Sequence, residues 1–232
     1  WLPRMSILTD IREFFFPRLC VTCGTRLLQD EKGLCLRCAL DLPHTHLYNT
    51  GNEMEKCFWG RFPIERASAL LYYAKKGKVA DILHAMKYYG QRRLCIEMGR
   101  QMAEELIPHH FFDGIDYIIP VPLHRSRLRS RGYNQSELLA QGISDKTGIP
   151  LLTDAIVRTR NNVTQTHKGR YARWENAKEL FCKSKKCPEI EGKHVLLIDD
   201  VLTTGATLIS CADAIADIPE IRISILTLAW AK

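Results

Sequence analysis

The most distinctive chemistry in the sequence lies where an apolar run meets two acids and a threonine–glycine loop. The run Val195–Ile198 is typical of a strand buried in a parallel sheet, and Asp199 and Asp200 follow it directly. Ligands of open parallel sheets bind beyond the carboxyl ends of the strands, where these acids are expected. The loop offers hydroxyl and N–H groups at the start of a predicted helix, which suits a phosphate. Its residues are Thr203, Thr204, Gly205, Ala206 and Thr207.

Carboxylates repel a phosphate directly, so acids beside such a loop are suited to sugar hydroxyls or to a metal ion. Gly205 allows the backbone to approach the phosphate closely. The stretch therefore predicts a sugar-phosphate site.

Four cysteines form two closely spaced pairs near the start of the chain. Cys20 and Cys23 make the first C-x-x-C pair, Cys35 and Cys38 make the second, and eleven residues separate the pairs. Two pairs supply four thiolates, which fill the tetrahedral shell of Zn²⁺ and leave no open position for catalysis. A redox dithiol would need only one pair. We predict one structural zinc ion. His44 and His46 are potential additional ligands, although a surface role is the simpler interpretation for both.

Arginines are concentrated in two stretches of a chain with a net charge of +7. Such clusters favour a phosphorylated ligand or a nucleic acid, and the alternative is a solvated basic face. The first stretch contains Arg125, Arg127, Arg129 and Arg131, directly after Pro120–His124. The second is polar and aperiodic, and contains Arg158, Arg160, Lys168, Arg170 and Arg173.

The 232 residues are sufficient for one ordinary domain and a small appendage. No apolar run approaches the ~18 residues of a membrane span, and a hydrophobic share of 46% is typical of globular proteins. No secretory signal is evident at the start, and the cysteine count of nine is odd, so we expect reduced thiols and a cytoplasmic location.

Alternating strand and helix patterns predict an α/β fold with a parallel sheet covered on both faces. We expect an amphipathic helix in residues 1–18, the cysteine module in 19–42, a connector in 43–64 and the α/β domain in 65–232. The predicted strands are Ala67–Tyr73, Tyr117–Val121, Ile156–Val157, Leu180–Cys182, Val195–Ile198 and Arg222–Ala229. The predicted helices are Val79–Tyr88, Cys95–Leu106, Gln135–Lys146 and Gly205–Ala216.

The stretch 195–207 resembles the phosphoribosyl-pyrophosphate (PRPP) motif of type I phosphoribosyltransferases. That resemblance implies that Asp199 and Asp200 are the catalytic acids and contact the 2′- and 3′-hydroxyls of ribose. It also implies that the loop from Thr203 to Thr207 encloses the 5′-phosphate, and that Mg²⁺ accompanies PRPP.

The order of motifs along the whole chain is similar to that of the ComF family of competence proteins. This resemblance implies a type I phosphoribosyltransferase fold with an N-terminal zinc ribbon, and a role in DNA uptake during natural transformation. Many relatives have a further set of C-x-x-C pairs between the first set and the α/β domain. This chain has only Cys57 in that region, so we expect one zinc ion. The motifs are the two cysteine pairs, Trp59-Gly60-Arg61, Lys87-Tyr88, Ile119-Pro-Val-Pro-Leu123, Arg131-Gly-Tyr-Asn-Gln135, Thr164-Gln165-Thr166, Arg173-Trp174-Glu175-Asn176 and the stretch 195–207.

The resemblance also assigns residues to the pyrophosphate side of the site and to a mobile loop that covers it. The pyrophosphate-side residues are Val121, Pro122, Leu123, Arg131 and Asn134. The mobile-loop residues are Thr164, Gln165, Arg170 and Arg173.

Two functions remain open from the sequence. The first is an enzyme that transfers phosphoribosyl from PRPP to an unknown acceptor. The alternative is a non-catalytic competence protein that binds single-stranded DNA or a DNA-uptake helicase, with Tyr171 and Trp174 stacking on bases, and that keeps the PRPP pocket as a scaffold or sensor. Trp174 is equally suited to be a hydrophobic anchor for the loop. No helix-turn-helix pattern supports a PRPP-sensing regulator.

Overall fold

A four-stranded parallel sheet forms the centre of the protein in a computed structural model that describes residues 17–159, 180–185, 187 and 190–232. The strands of this sheet are β1 (Ile64–Tyr72), β2 (Tyr117–Pro120), β5 (His194–Leu202) and β6 (Arg222–Trp230), in the order β1-β6-β5-β2. Two short strands, β3 (Ile156–Arg158) and β4 (Phe181–Lys183), form a separate antiparallel pair. The prediction of a parallel sheet is therefore confirmed.

Helices separate the strands along the described part of the chain. They are α1 (Leu36–Leu40), α2 (Glu53–Lys56), α3 (Lys78–Tyr88), α4 (Arg92–Leu106), α5 (Arg125–Arg131), α6 (Gln135–Thr147) and α7 (Ala206–Asp213), with a 3₁₀ turn at Ile107–His109. None of the helices in the described ranges combines the length and the apolar character needed to cross a membrane.

Both faces of the sheet are covered, as the continuous apolar character of β5 predicts. Successive side chains of a strand point to opposite faces. Leu196 and Ile198 belong to a hydrophobic cluster with helices α3, α4 and α6, whereas Val195 and Leu197 belong to a second cluster with α7 and the β3–β4 pair. The two clusters fix β5 in the middle of the molecule, with its carboxyl end free to form a site.

Strand β5 continues beyond the predicted Val195–Ile198, so the two acids lie inside the strand rather than after it. The pairing with β6 extends to Leu202, which lies opposite Trp230. The following helix is shorter than predicted and begins at Ala206, because Gly205 adopts φ +76°, a left-handed conformation that ends the loop. Polar residues inside a buried strand need partners from other elements, and a local apolar pattern does not show those partners. The apolar run Val195–Ile198 therefore underestimates the length of β5.

The cysteine module packs on α4 instead of forming a core of its own. Cys20, Leu27 and Leu34 belong to the same hydrophobic cluster as Leu94. The approach is close at Gly33, where an added Cβ would lie 3.0 Å from the Leu94 side chain. Residues 1–16, which contain most of the predicted N-terminal helix, lie outside the described residues.

The segment 43–64 is packed along β1. Thr45 N–H donates to the carbonyl of Leu70, and Tyr72 N–H donates to that of Pro43. Helix α2 follows, and both Met54 and Phe58 are completely buried in the cluster that contains α7. This segment therefore contributes to the core next to the cleft described below.

Candidate functional site

A cleft of about 680 Å³ opens at the carboxyl ends of β2 and β5. The two strands are neighbours, yet the chain leaves β2 towards α6 on one face of the sheet and leaves β5 towards α7 on the other. This divergence creates the crevice in which open α/β sheets bind ligands. The lining residues are Lys87, Tyr88, Gly90, Val121, Pro122, Leu123, Arg127, Ser130, Arg131, Gln135, Arg158, Asp199, Asp200, Val201, Thr203 and Thr207.

Asp199 is held at the base of the cleft by helix α6. The hydroxyl of Ser136 donates to Asp199 Oδ1 over 3.0 Å, and the N–H of Asp200 donates to the same oxygen over 2.8 Å. Burial, followed by the neighbouring charge of Asp200, raises the pKa of Asp199 to about 7. Asp199 is therefore easily protonated near neutral pH.

Asp200 has cationic and amide partners. Gln135 Nε2 donates to Asp200 Oδ2 over 2.7 Å, and Lys87 Nζ lies 2.9 Å from the same oxygen. Arg131 in turn donates to the side-chain oxygen of Gln135. A polar chain thus runs from Arg131 through Gln135 to the carboxylate of Asp200 and on to Lys87.

The start of α6 positions the loop that follows β2 as well as both acids. Asn134 caps the helix by accepting from Ser136 N–H, and its Nδ2 donates to the carbonyl of Val121 over 3.0 Å. Asn134 is buried and does not line the cleft, so its contribution is to hold the loop that does. Val121, Pro122 and Leu123 all line the cleft.

The threonine–glycine loop surrounds a second, small cavity of about 30 Å³ next to Asp199. Thr203 and Thr204 are exposed at its rim. The cap residue Gly205 provides no side-chain hydrogen bond to the first turn of α7, which leaves the N–H groups of that turn available to an anion. The five loop residues predicted to enclose a phosphate therefore surround one cavity.

The arginine cluster forms helix α5 and not a loop. Arg127 and Arg131 line the cleft, whereas Arg125 and Arg129 do not. Residues four apart share a helix face, so the helix divides the cluster into two pairs that point in different directions. His124 begins the helix as its N-cap, and its ring accepts from Ser126 N–H.

Arg158 adds a further cation to the cleft from strand β3. Its guanidinium lies over the ring of Phe181, 5.3 Å from the centroid, and its Nε is buried without a hydrogen-bond partner among the described residues. Burial lowers the pKa of Arg158, and the charge of Arg127 acts in the same direction. An anionic ligand in the cleft would relieve both effects.

Several cleft residues were not among the site residues predicted from the sequence. Lys87 and Gln135 stand in motifs that the family resemblance uses, but no residue pattern gave them a role. Arg158 was noted only as part of a basic stretch, and Ser136, which contacts Asp199, had no local signal. The predicted mobile-loop residues lie outside the described residues. They are Thr164, Gln165, Arg170 and Arg173.

The four predicted zinc ligands come together in the cysteine module. Their Sγ atoms all lie within 4.8 Å of one another, and Cys23 and Cys35 are separated by 3.7 Å between sulfurs. A tetrahedral Zn²⁺ with bonds of about 2.3 Å requires sulfurs about 3.8 Å apart, so the donor set fits this ion. His44 is not part of the group, since its Nδ1 lies 3.6 Å from a Glu105 carboxylate oxygen instead.

Comparison with known proteins agrees with this geometry. Residues 93–229, more than half of the chain, match the phosphoribosyl transferase domain family. The chain belongs to this family. Its four-cysteine cluster and its relatives make it a member of the ComF type.

The relatives include proteins named for DNA use and competence. The chain is 30% identical to the DNA utilization protein YhgH of Escherichia coli over 197 residues, which cover 84% of this chain and 82% of that protein. It is 41% identical to Competence protein F of Haemophilus influenzae over 91 residues, which cover 39% of this chain and 40% of that one.

Among solved structures, the glutamine PRPP amidotransferase of Bacillus subtilis matches with a TM-score of 0.39 and 17% identity. The match covers 58% of this chain and 26% of that one.

Proposed function

We propose that this ComF-type phosphoribosyltransferase-like protein binds PRPP in the cleft and transfers its phosphoribosyl group to an acceptor that is not yet known. One observation carries the proposal. The two acids, the threonine–glycine cavity and the arginine-bearing side of the cleft meet at the ends of β2 and β5, in an arrangement that matches the ribose, 5′-phosphate and diphosphate of PRPP.

Each part of PRPP has a chemically matched surface. The N–H groups at the start of α7 and the hydroxyls of Thr203, Thr204 and Thr207 suit the 5′-phosphate. Asp199 and Asp200 accept hydrogen bonds from ribose hydroxyls. The diphosphate lies against the backbone of Val121–Leu123. Arg127 and Arg131, which share one face of α5, compensate its negative charge.

The donor set of the cleft is suited to Mg²⁺ that arrives with its ligand. Mg²⁺ is commonly held by one or two carboxylates together with substrate phosphates and water. Asp199 and Asp200 are the two carboxylates on offer, and both already have protein partners. When bound, the ion neutralises charge on the departing diphosphate.

The acids suit the charge that develops as the C1–O bond breaks. The sugar becomes oxocarbenium-like, and the carboxylate of Asp200, which lines the cleft, supplies negative charge that stabilises it. Arg127 and Arg131, which line the cleft from α5, hold the departing diphosphate. The fixed donors of α6 orient the acids in advance, which reduces reorganisation during the reaction.

A role in DNA uptake, in the cytoplasm, is supported by the family membership. Relatives carry the names DNA utilization protein and Competence protein F. The net charge of +7 favours an alternative in which the chain binds single-stranded DNA, or a helicase that acts on it, without catalysis. Strand binding weakens steeply with salt, because it depends on phosphate contacts and counterion release, whereas binding in the cleft changes less.

Calorimetric titration with PRPP, with and without Mg²⁺, tests the proposal. We expect Mg²⁺-dependent binding that Asp200→Asn abolishes, with Asp217→Asn as an exposed control of the same chemistry. Absence of PRPP binding by the wild-type protein would refute the proposal. In that case the same titration with single-stranded DNA at two salt concentrations tests the alternative.

A further inference from the structure

Lys87 forms an ion pair with Asp200, one of the two acids that the proposed function assigns to the ribose hydroxyls. Lys87 Nζ lies 2.9 Å from Asp200 Oδ2, with side-chain exposures of 24% for the lysine and 6% for the acid. Gln135 Nε2 donates to the same oxygen over 2.7 Å. A carboxylate oxygen with two donors has little remaining capacity, so a hydroxyl that binds there has to compete with the lysine.

The backbone next to Lys87 has a hydrogen-bonded anchor, so we expect a change of partner to involve the lysine side chain. The lysine stands in the last turn of α3. The hydroxyl of Tyr133 donates to the carbonyl of Met86 over 2.5 Å, and Arg92 donates to the carbonyl of Gly132 over 2.7 Å. The first contact ties the end of α3, and the second ties the start of α4, to the segment that precedes α6. The lysine therefore exchanges partners by rotation of its own stem.

The surroundings determine what the displaced ammonium binds next. The cleft is also lined by Arg127, Arg131 and Arg158. Their positive charges repel the ammonium of Lys87 once it no longer pairs with Asp200. Asp199, the other acid of the cleft, is buried and is occupied by Ser136. An anion brought into the cleft is then the available partner for Lys87, and the diphosphate of PRPP is such an anion.

We propose that Lys87 is a substrate-contacting residue that exchanges Asp200 for the diphosphate when PRPP binds. This inference rests on the proposed function and adds to it a cation contributed by α3, outside the two loops that follow β2 and β5. It has a consequence for selectivity. A ligand with ribose but no diphosphate displaces Lys87 without giving it a new partner, and it binds less well than its ribose and 5′-phosphate contacts would allow.

The test compares PRPP with ribose 5-phosphate, both with Mg²⁺, by calorimetric titration of four proteins. These are the wild type, Lys87→Met, Lys87→Arg and the exposed control Lys75→Met. We expect Lys87→Met to weaken PRPP binding by about tenfold to a hundredfold, because a charge-assisted contact is lost. Binding of ribose 5-phosphate should be unchanged or tighter in this variant, since Asp200 no longer has to release the lysine.

Lys87→Arg keeps the charge and should retain PRPP binding within a few-fold of the wild type, as should Lys75→Met. A purely structural lysine predicts the opposite pattern, in which Lys87→Met weakens both ligands equally. That result, or unchanged PRPP binding in Lys87→Met, would overturn the inference while leaving the proposed function intact. If the wild type binds neither ligand, the proposed function fails, and the exchange fails with it. Melting temperatures of all four proteins show whether the variants are folded.

Discussion

The hydroxyl of Ser136 lies 3.0 Å from a carboxylate oxygen of Asp199, although 63 positions separate the two residues in the chain. The next residue towards the N-terminus, Gln135, binds Asp200 in the same way. The first turn of α6 therefore orients both acids. It also directs the partial positive charge of a helix N-terminus towards them, which lowers the free energy of two adjacent buried carboxyl groups.

Replacement of Ser136 by alanine tests this arrangement. The variant leaves Asp199 Oδ1 with only the backbone donor of Asp200, so we expect the free energy of unfolding to fall by about 1 kcal/mol and PRPP binding to weaken about tenfold. Urea denaturation and calorimetric titration measure the two effects. Glu137→Ala, an exposed change in the same helical turn, is the control. PRPP binding that is unaffected in Ser136→Ala would show that α6 does not position the acids for the ligand.

Two glycines set the distance between helices α4 and α6. An added Cβ would lie 2.1 Å from the Leu139 carbonyl oxygen at Gly99, and 2.1 Å from the Ile96 carbonyl oxygen at Gly142. We expect Gly142→Ala to destabilise the protein by about 3 kcal/mol, because backbone atoms on both sides have to move apart. Urea denaturation compares it with Gln141→Ala at the exposed neighbouring position. Equal stability of the two variants would contradict the close packing.

The shifted pKa of Asp199 makes stability depend on pH. This pKa is about 7 in the folded protein against 3.8 for an unperturbed aspartate, so between these values the folded state binds a proton that the unfolded state has lost. The stabilisation is complete below about pH 4 and is lost as the pH rises through about 7, so the free energy of unfolding falls across this window.

Asp199→Asn removes the titrating group and should flatten that part of the profile. Denaturant unfolding of the ligand-free proteins at about pH 5 and about pH 8 gives the comparison. The informative quantity is the difference in free energy of unfolding between the wild type and Asp199→Asn, because the other groups titrate in both proteins. A difference that is the same at the two pH values would mean that Asp199 is already ionised at pH 5.

The zinc prediction concerns both metal content and stability. We expect one Zn²⁺ per chain in the purified wild-type protein, loss of the ion in Cys23→Ser, and its retention in Cys57→Ser, an exposed cysteine outside the four-thiol group. Elemental analysis counts the metal. Since Leu34 belongs to the same hydrophobic cluster as Leu94, removal of the ion should also lower the melting temperature. Zinc-free wild-type protein would refute the assignment.

The sequence predicted the elements whose patterns are local. An apolar run such as Val195–Ile198 identifies a buried strand because it needs no partner to be recognised. The parallel arrangement of the central strands followed from their alternation with helices, and the four cysteines were identified by their spacing alone. Strand ends were less predictable, because β5 continues through Asp199 and Asp200 only where β6 and α6 supply their partners.

Local pattern and a family resemblance were thus enough to establish the fold class and to predict the zinc ligands, the two acids and the phosphate loop. Only the tertiary structure decided which cations face the cleft. Arg127 and Arg131 line it and Arg125 and Arg129 do not, since the cluster is a helix with two faces. Lys87 meets Asp200, far along the chain, because the last turn of α3 and the carboxyl end of β5 line the same cleft in the folded protein. Contacts between distant segments depend on how whole elements pack, and a linear pattern does not contain that information.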